Sequence, residues 1–269
     1  MKHIIYTVGF VAMLLSCSHI DDNDRLIEVA IDNAVQQEET TQQEEIVRNV
    51  LLEDFTGQRC KNCPNGAEVI SQLEQAYGER FVPVGIYWEP IAVPNGLATE
   101  TGKEYFSHWS VGAQPAGWVD RLGDVKFIPN DWMGDVKEAL KRPADVVIHV
   151  EATLAEQMID ISVMETCPQS EVGGNLQVWI VEDSITATQL MPDNTAKRDY
   201  VHNHVFRTAV NGTWGDAVTI AVGDTLKQVY RQAIDNQWNT NQLSVVAFIY
   251  NGRGVEQVTK TRIKTTQDK

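Results

Sequence analysis

Two cysteines three residues apart, Cys60 and Cys63, stand between an apolar run and an amphipathic segment. The run at residues 49–55 is β-prone, and a Thr-Gly pair follows it as a turn. Beyond the cysteines, apolar residues recur at helical spacing: Ala67, Ile70, Leu73 and Tyr77. The segment therefore predicts a strand, a turn and a helix, with Cys60 at the helix N-terminus. Backbone N–H groups and the positive end of the helix dipole stabilise a thiolate there.

The N-terminus has the pattern of a secretory signal. A basic start precedes an apolar run at residues 4–15, which is too short to span a bilayer comfortably. The Leu14-Leu15-Ser16-Cys17 segment resembles a bacterial lipoprotein box, which predicts removal of residues 1–16 and acylation of Cys17. Several acyl chains would anchor the chain stably to the outer membrane. The alternative is an ordinary secretory signal with a chance cysteine.

Residues 17–45 are predicted to form an acidic tether, because they carry nine carboxylates, one arginine and no aromatic residue. Asp21, Asp22 and Asp24 resemble the signal that sends Bacteroidetes lipoproteins to the cell surface. An acidic spacer on a lipoprotein of the periplasmic face is the alternative. The whole chain has a net charge of −15, which would repel a phosphate backbone. We therefore expect no nucleic-acid partner.

Once Cys17 is assigned to lipid attachment, three cysteines are left in a compartment where disulfides persist. Cys60 and Cys63 form one close pair, and Cys167 is interpreted as a small buried hydrophobe without a role. A zinc site would need four ligands, and no second cluster stands near the pair, so no metal is predicted. A redox-active pair and a structural disulfide both fit the sequence.

The residues around the pair favour a thioredoxin-like domain over residues 46–142. Residues 81–87 predict a buried strand, and a helix follows at about residues 100–109, as in a βαβ unit. The segment WSVGAQPAGWVD resembles the one in which thioredoxin-like proteins place a cis-proline opposite the cysteines, so Pro115 is predicted to be cis. Two departures, Arg59 before the first cysteine and Lys61-Asn62 within the pair, leave the redox potential open.

Asp54 stands where many thioredoxins keep a buried acid that moves protons to the second cysteine. In an apolar strand, desolvation would raise the pKa of this carboxyl and suit it to proton transfer with Cys63. The alternative is a carboxylate that pairs with a lysine or caps a turn.

The pattern changes at Lys141-Arg142-Pro143, where period-two alternation begins. About eight short strands separated by turn residues predict an antiparallel β-sandwich over residues 143–269, although residues 226–234 also fit a helix. Residues 183–199 form a long connection, either a binding loop or a tolerated insertion. His202 and His204 are predicted on one face of a strand, as a structural pair or, with ligands not evident in the sequence, at a metal.

The lipoprotein box and the segments EDFTGxxCxxCP, GAQPAGWVDR and YVHNHVFR together resemble the 28-kilodalton outer-membrane protein family of Bacteroidetes lipoproteins, over residues 1–269. The resemblance implies an α/β thioredoxin-like domain followed by an all-β immunoglobulin-like sandwich, and a role as surface adhesin or receptor. It implies no cofactor and no catalytic residues beyond Cys60, Cys63, Asp54 and Pro115.

Two hypotheses of function follow. In the first, the Cys60–Cys63 pair carries out thiol-disulfide exchange on extracytoplasmic proteins, with Asp54 managing the proton and Pro115 shaping the surface where substrate docks. In the second, the protein is a surface adhesin or ligand-binding lipoprotein, and the disulfide is only structural. Both imply a protein or peptide partner, and the sequence does not decide whether the protein is an enzyme.

Overall fold

The computed structural model describes residues 46–91, 93 and 96–265. The predicted signal peptide, the acylated Cys17 and the acidic tether lie outside the described residues. Within the described residues, no helix combines the length and apolar character needed to cross a membrane.

The first part of the chain contains strands and helices close to those predicted. Its three strands are β1 (Val50–Thr56), β2 (Phe81–Tyr87) and β3 (Ala116–Val119). Its three helices are α1 (Cys63–Tyr77), α2 (Glu100–His108) and α3 (Pro129–Ala139). All seven residues of β1 are buried, including Glu53 and Asp54, because the strand is packed on both faces. Helix α1 begins at Cys63, so Cys60 lies in the preceding turn and not at the helix N-terminus.

The second part is built of strands. They are β4 (Val147–Ala155), β5 (Met158–Thr166), β6 (Val172–Glu182), β7 (Ile185–Leu190), β8 (Ala196–His202), β9 (Val205–Ala209), β10 (Asp216–Ile220), β11 (Thr225–Ala233), β12 (Leu243–Asn251), β13 (Gly254–Arg262) and β14 (Lys264–Thr265). Buried and exposed residues alternate along β4, as its period-two pattern predicts. The segment that also fitted a helix is strand β11.

The predicted fold class is wrong, because the described residues contain no separate thioredoxin-like α/β domain. Strands β1, β2 and β3 continue the sheet of the second part, in the order β13-β12-β6-β9-β2-β1-β3, with β10 also paired to β6. A second sheet has the order β11-β5-β4-β14, and β7 and β8 form a hairpin. Residues 45–269 make one compact unit. The β-rich part agrees with the predicted sandwich class.

The two parts join where β2 runs parallel to β9. Gly85 pairs with Val205, and the Gly85 backbone N–H donates to the His204 carbonyl at 2.8 Å. β2 is buried along its whole length and β9 begins with the buried residues Val205 and Phe206, so each segment also fits the interior of a smaller separate sheet. This short pairing, between residues far apart in the chain, joins β1–β3 to the sheet of the second part.

The large sheet has apolar cores on both faces. One face carries an apolar cluster that includes residues of α2 and these buried aromatic side chains: Phe55, Tyr105, Phe106, Trp179, Phe206 and Phe248. The opposite face packs against α1 and α3 near β1–β3, and against the four-stranded sheet near β6 and β12. In β3, Gly117 leaves room for the Trp132 ring, because a Cβ atom at residue 117 would lie 2.3 Å from Trp132 Cε2.

Two buried ion pairs tie the first part to the second. Arg121 donates to both carboxylate oxygens of Glu53 at 2.8 Å. The Arg121 guanidinium also lies 4.3 Å from the ring centre of Tyr250, in β12. Arg48 pairs with Asp120 and donates to the backbone carbonyls of Val255 and Glu256 in β13. A charge buried in this way needs its partner, because it has lost its water.

We expect Arg121→Met to lower the free energy of unfolding by about 3–5 kcal/mol, because it leaves the Glu53 carboxylate buried without a counter-charge. Urea unfolding at neutral pH measures the loss. The matched control is Arg231→Met, which removes an exposed pair with Asp160 at 2.7 Å and should cost no more than about 1 kcal/mol. Equal losses in the two variants would contradict this account.

Candidate functional site

Cys60 and Cys63 form a disulfide in the turn between β1 and α1. The Cys60 N–H donates to the Gly57 carbonyl, and the Cys63 N–H donates to the Cys60 carbonyl, both at 3.2 Å. Cys63 is only 4% exposed, whereas Cys60 is half-buried. An incoming thiol therefore reaches Cys60 more easily than Cys63.

Pro115 lies close to this turn. The Gln114–Pro115 peptide bond is cis, which confirms the predicted geometry. Gln114 Nε2 donates to the carbonyls of Thr56 and Trp88, both at 2.8 Å, and so holds the segment against the ends of β1 and β2. A Cβ atom added to Gly66 of α1 would lie 3.5 Å from Pro115 Cβ. The structure thus brings Pro115 and the helix that begins at Cys63 together.

Asp54 is a buried carboxyl group in β1. It is 5% exposed, and its Oδ1 atom accepts no hydrogen bond from the described residues. Burial raises the pKa of Asp54 to about 7, against the opposing effect of the His204 charge. The direction is the one expected for a carboxyl in an apolar strand. Among the described residues, no ion pair joins Asp54 to a lysine.

A cavity of about 560 Å³ lies beside Cys63 and Asp54. Helix α1 contributes one wall, and the β7–β8 hairpin with the turn after it contributes another. Its lining includes Pro64, Ile70, Glu74, Tyr87, Gln189, Met191, Pro192, Tyr200, Val201, His202 and His204. Cavities of this size hold small molecules or parts of larger ones.

The hairpin is hydrogen-bonded to the disulfide turn. Gln189 Nε2 donates to the carbonyls of Cys60 at 2.9 Å and Gly57 at 3.3 Å. The Leu190 N–H donates to the Gln58 carbonyl at 2.8 Å, and Gln58 Nε2 donates to the Thr188 carbonyl at 2.9 Å. Residues 183–199, expected to be a long connection, therefore contain most of an ordered hairpin that packs on the disulfide turn.

The two histidines do not lie on one strand face, so that prediction is wrong. His202 ends β8, and His204 follows in a turn with a φ of 56°, before β9 begins. His202 Nδ1 is 3.0 Å from the Tyr87 hydroxyl, and burial lowers the pKa of His202 to about 4. His202 is therefore neutral at neutral pH.

His204 lies between two carboxylates. Its Nε2 is 3.1 Å from Glu74 of α1, and its Nδ1 is 3.1 Å from Asp183. Burial acts to lower the pKa of His204, but the hydrogen bonds with these carboxylates outweigh it and the pKa is raised. Within the described part of the chain, no group of three His, Cys, Asp or Glu residues is placed to hold a metal ion.

Glu89 and Cys167 are two further buried titratable side chains. Glu89 accepts a hydrogen bond from the Arg59 N–H at 2.9 Å, beside Cys60, and burial raises the pKa of Glu89. Cys167 is a free, buried cysteine in the sandwich core, which agrees with its interpretation as a hydrophobe. Burial also raises the pKa of the Cys167 thiol, so it is a poor nucleophile.

Several residues of the site carried no sequence signal as site residues. Tyr87, Gln189 and Glu89 were not predicted, and His202 and His204 were not connected with the cysteines. Gln189 contacts a turn 129 positions earlier in the chain, and a contact of this kind leaves no local pattern. Tyr87 stands at the end of a predicted strand next to β1, and this position was the sequence signal that could have identified it as a site residue.

Comparisons with known proteins support an outer-membrane assignment. The model of the family described as outer membrane protein Omp28 matches residues 102–267, which is more than half of the chain but begins after Cys63. No curated protein is significantly similar to this chain.

Among the solved structures that match this chain are three from two bacteria. HBP35 of Porphyromonas gingivalis has a TM-score of 0.64 at 16% identity, covering 82% of this chain and 78% of that one. Protein AGR_C_4864 from Agrobacterium tumefaciens has a TM-score of 0.50 at 15% identity, covering 80% and 95%. A domain of the outer membrane lipoprotein Omp28 from Porphyromonas gingivalis has a TM-score of 0.35 at 23% identity, covering 45% and 90%. At sequence identities of 16% and 15%, the matches to HBP35 and AGR_C_4864 show a similar fold and nothing about function.

We expect Asp54→Asn to stabilise the folded protein at and above about pH 7. The pKa of Asp54 is raised from 3.8 to about 7, so between these values the folded state binds a proton that the unfolded state has lost. The free energy of unfolding of the native protein therefore falls as pH rises through this window. Asp54→Asn does not lose stability in this way. Its free energy of unfolding, relative to that of the native protein, should therefore rise with pH by roughly 2–4 kcal/mol and then stay constant.

Urea unfolding of both proteins between about pH 4 and pH 9 measures this difference. His202, whose pKa is lowered to about 4, contributes the opposite slope in both proteins and cancels in the comparison. Asp160→Asn, at an exposed carboxylate, is the control and should show no such growth. A pH-independent difference for Asp54→Asn would show that the carboxyl is solvated.

Proposed function

This chain belongs to the Omp28 family of outer membrane proteins, and we propose that it carries out thiol-disulfide exchange on extracytoplasmic proteins. One observation carries the proposal: the buried, unpartnered Asp54 carboxyl borders the same cavity as Cys63, while Cys60 is the more exposed sulfur. A nucleophile and a proton carrier in this arrangement are what exchange requires. Acylated Cys17 would hold the protein on the membrane.

The reaction begins from the disulfide seen in the structure. A substrate thiolate attacks Cys60 Sγ and forms a mixed disulfide, and the Cys60–Cys63 bond breaks. Cys63 leaves with the electron pair and takes the proton of the Asp54 carboxyl. A second substrate thiolate then attacks the substrate sulfur of the mixed disulfide and releases Cys60 as a thiolate. Two electrons pass from the substrate dithiol to the protein, and an external disulfide restores the starting state.

The remaining residues of the site support these steps. Arg59 and Lys61 are exposed on either side of Cys60, and their positive charges favour its thiolate. Cys63 is the first residue of α1, where the positive end of the helix dipole favours negative charge on its sulfur. Pro115 lies beside α1 and would form the surface on which the substrate backbone docks.

A second candidate function is ligand binding with a structural disulfide. It is favoured by the hydrogen bonds from the hairpin to the carbonyls of Gly57, Gln58 and Cys60. These bonds fix the disulfide turn to the second part of the chain, as a structural crosslink would. In this case the cavity beside Cys63 holds the ligand of a surface receptor or adhesin.

Redox titration and a kinetic assay distinguish the two functions. For exchange, we expect a reduction potential above about −300 mV, since structural disulfides lie below this value. The protein should oxidise a model dithiol peptide, and Cys60→Ala should abolish the reaction.

Asp54→Asn should slow the same reaction about a hundredfold at neutral pH, because Cys63 then leaves without a proton donor. Cys167→Ala is the matched control and should react at the native rate, because this thiol is buried in the sandwich core. A potential below about −300 mV together with no exchange would instead support the second function.

A further inference from the structure

The cavity beside Cys63 has an acidic lining. Asp54, Glu68 and Glu74 border it, and no lysine or arginine is among the described residues that line it. His204 is the one lining histidine whose pKa is raised, and its charge opposes the effect of burial on Asp54 only in part. His204 is itself held between Glu74 and Asp183, and Asp183 also pairs with Lys260 at 3.1 Å. The described residues therefore give the Asp54 carboxyl no cation in direct contact.

Asp54 shows that this charge is not satisfied within the protein. The side chain is 5% exposed and Oδ1 accepts no hydrogen bond from the described residues. Buried polar groups in native proteins nearly always have hydrogen-bond partners, because an unpaired one is costly. A carboxyl left without a partner at the edge of a cavity points to a partner that a ligand supplies.

Part of the remaining lining is apolar and suits an aliphatic chain. Met191, Pro192 and Val201 come from the hairpin, and Ile70 comes from α1. Val201 is 51% exposed, so apolar surface continues to the mouth of the cavity. Lysine and arginine side chains combine a cationic end with an aliphatic stem that packs on such surfaces.

We propose that the cavity receives a lysine or arginine side chain of the peptide substrate, with the cationic group against the Asp54 carboxylate and the stem against the hairpin. The assignment of this peptide as a substrate rests on the proposed exchange function. Basic dithiol peptides are then the preferred substrate class.

The bound cation also favours opening of the disulfide. When Cys63 leaves, it takes the proton of Asp54, and the resulting carboxylate pairs with the cation of the substrate. The basic side chain therefore binds the dithiol form more tightly than the disulfide form, and by linkage its presence shifts the protein toward the dithiol.

The charged and titratable groups around Asp54 come from several elements. Tyr87 lies in β2, Tyr200 and His202 lie in β8, His204 lies in the turn after β8, and Glu68 and Glu74 lie in α1. At pH 8 the Asp54 carboxyl is mostly ionised and His202 is neutral. Binding is best compared at this pH.

The first experiment measures binding by calorimetry at pH 8, using a short cysteine-free peptide with one arginine and its analogue with neutral citrulline. We expect the arginine peptide to bind the native protein about tenfold more tightly. In a parallel titration at pH 6, where Asp54 of the disulfide form still holds its proton, the dithiol form should bind it more tightly than the disulfide form. Asp54→Asn, which keeps the side-chain shape, should remove the preference. The control Asp160→Asn should keep it. Equal affinity for both peptides, or an unchanged preference in Asp54→Asn, would overturn the proposal.

A further arm uses butylguanidine, a free guanidinium on an aliphatic stem. Weaker binding than that of the arginine peptide supports a peptide ligand, and equal binding overturns that part of the proposal.

The second experiment compares the rates at which the protein oxidises a two-cysteine peptide with arginine and the same peptide with citrulline. We expect the arginine peptide to react about tenfold faster. Equal oxidation of both peptides would leave the exchange function standing and reject the basic-residue site. Oxidation of neither peptide, with arginine binding that depends on Asp54, would reject exchange and keep the site.

Discussion

The buried pair of Glu53 and Arg121 is the interaction that holds the architecture together. Glu53 belongs to β1, and the Arg121 guanidinium lies 5.1 Å from the ring centre of Phe248 and 5.8 Å from that of Trp179, in the second part of the chain. Neither charge has water to solvate it, so each depends on the other and on the rings around them. Separating the two parts of the chain would expose this aromatic core and its charges.

The same contact between the two parts builds the candidate site. The His204 carbonyl accepts the hydrogen bond that joins β9 to β2, and its imidazole lies against Glu74 of the helix that begins at Cys63. Gln189 of the hairpin holds the carbonyl of Cys60. The disulfide, the acid and the cavity therefore exist as a site only when the second part of the chain is in place. Substitutions in the hairpin are therefore expected to alter the positions of the two sulfur atoms, because these hydrogen bonds join the hairpin to the disulfide turn.

Much of the local structure could be predicted, because it follows from patterns of a few residues. The strand before the cysteines, the helix after them, the buried Asp54 and the cis bond at Pro115 all belong to this group. The fold class was predicted wrongly because the mainly apolar runs of β1 and β2 fit a small separate sheet and the end of a large one equally well. His202 and His204 were misplaced because the backbone turns between them, and spacing alone does not show a turn.

The sequence by itself determined most of the strands and helices, where the paired cysteines stand, and that an acid lies buried near them. Each of these depends on the period of apolar residues or on short motifs, which are local properties. Tertiary structure alone decided that the strands form one sheet, that a hairpin closes over the disulfide turn, and that Asp54 borders a cavity without a partner. These features arise from contacts between residues more than a hundred positions apart, and no local periodicity records which distant residues will meet.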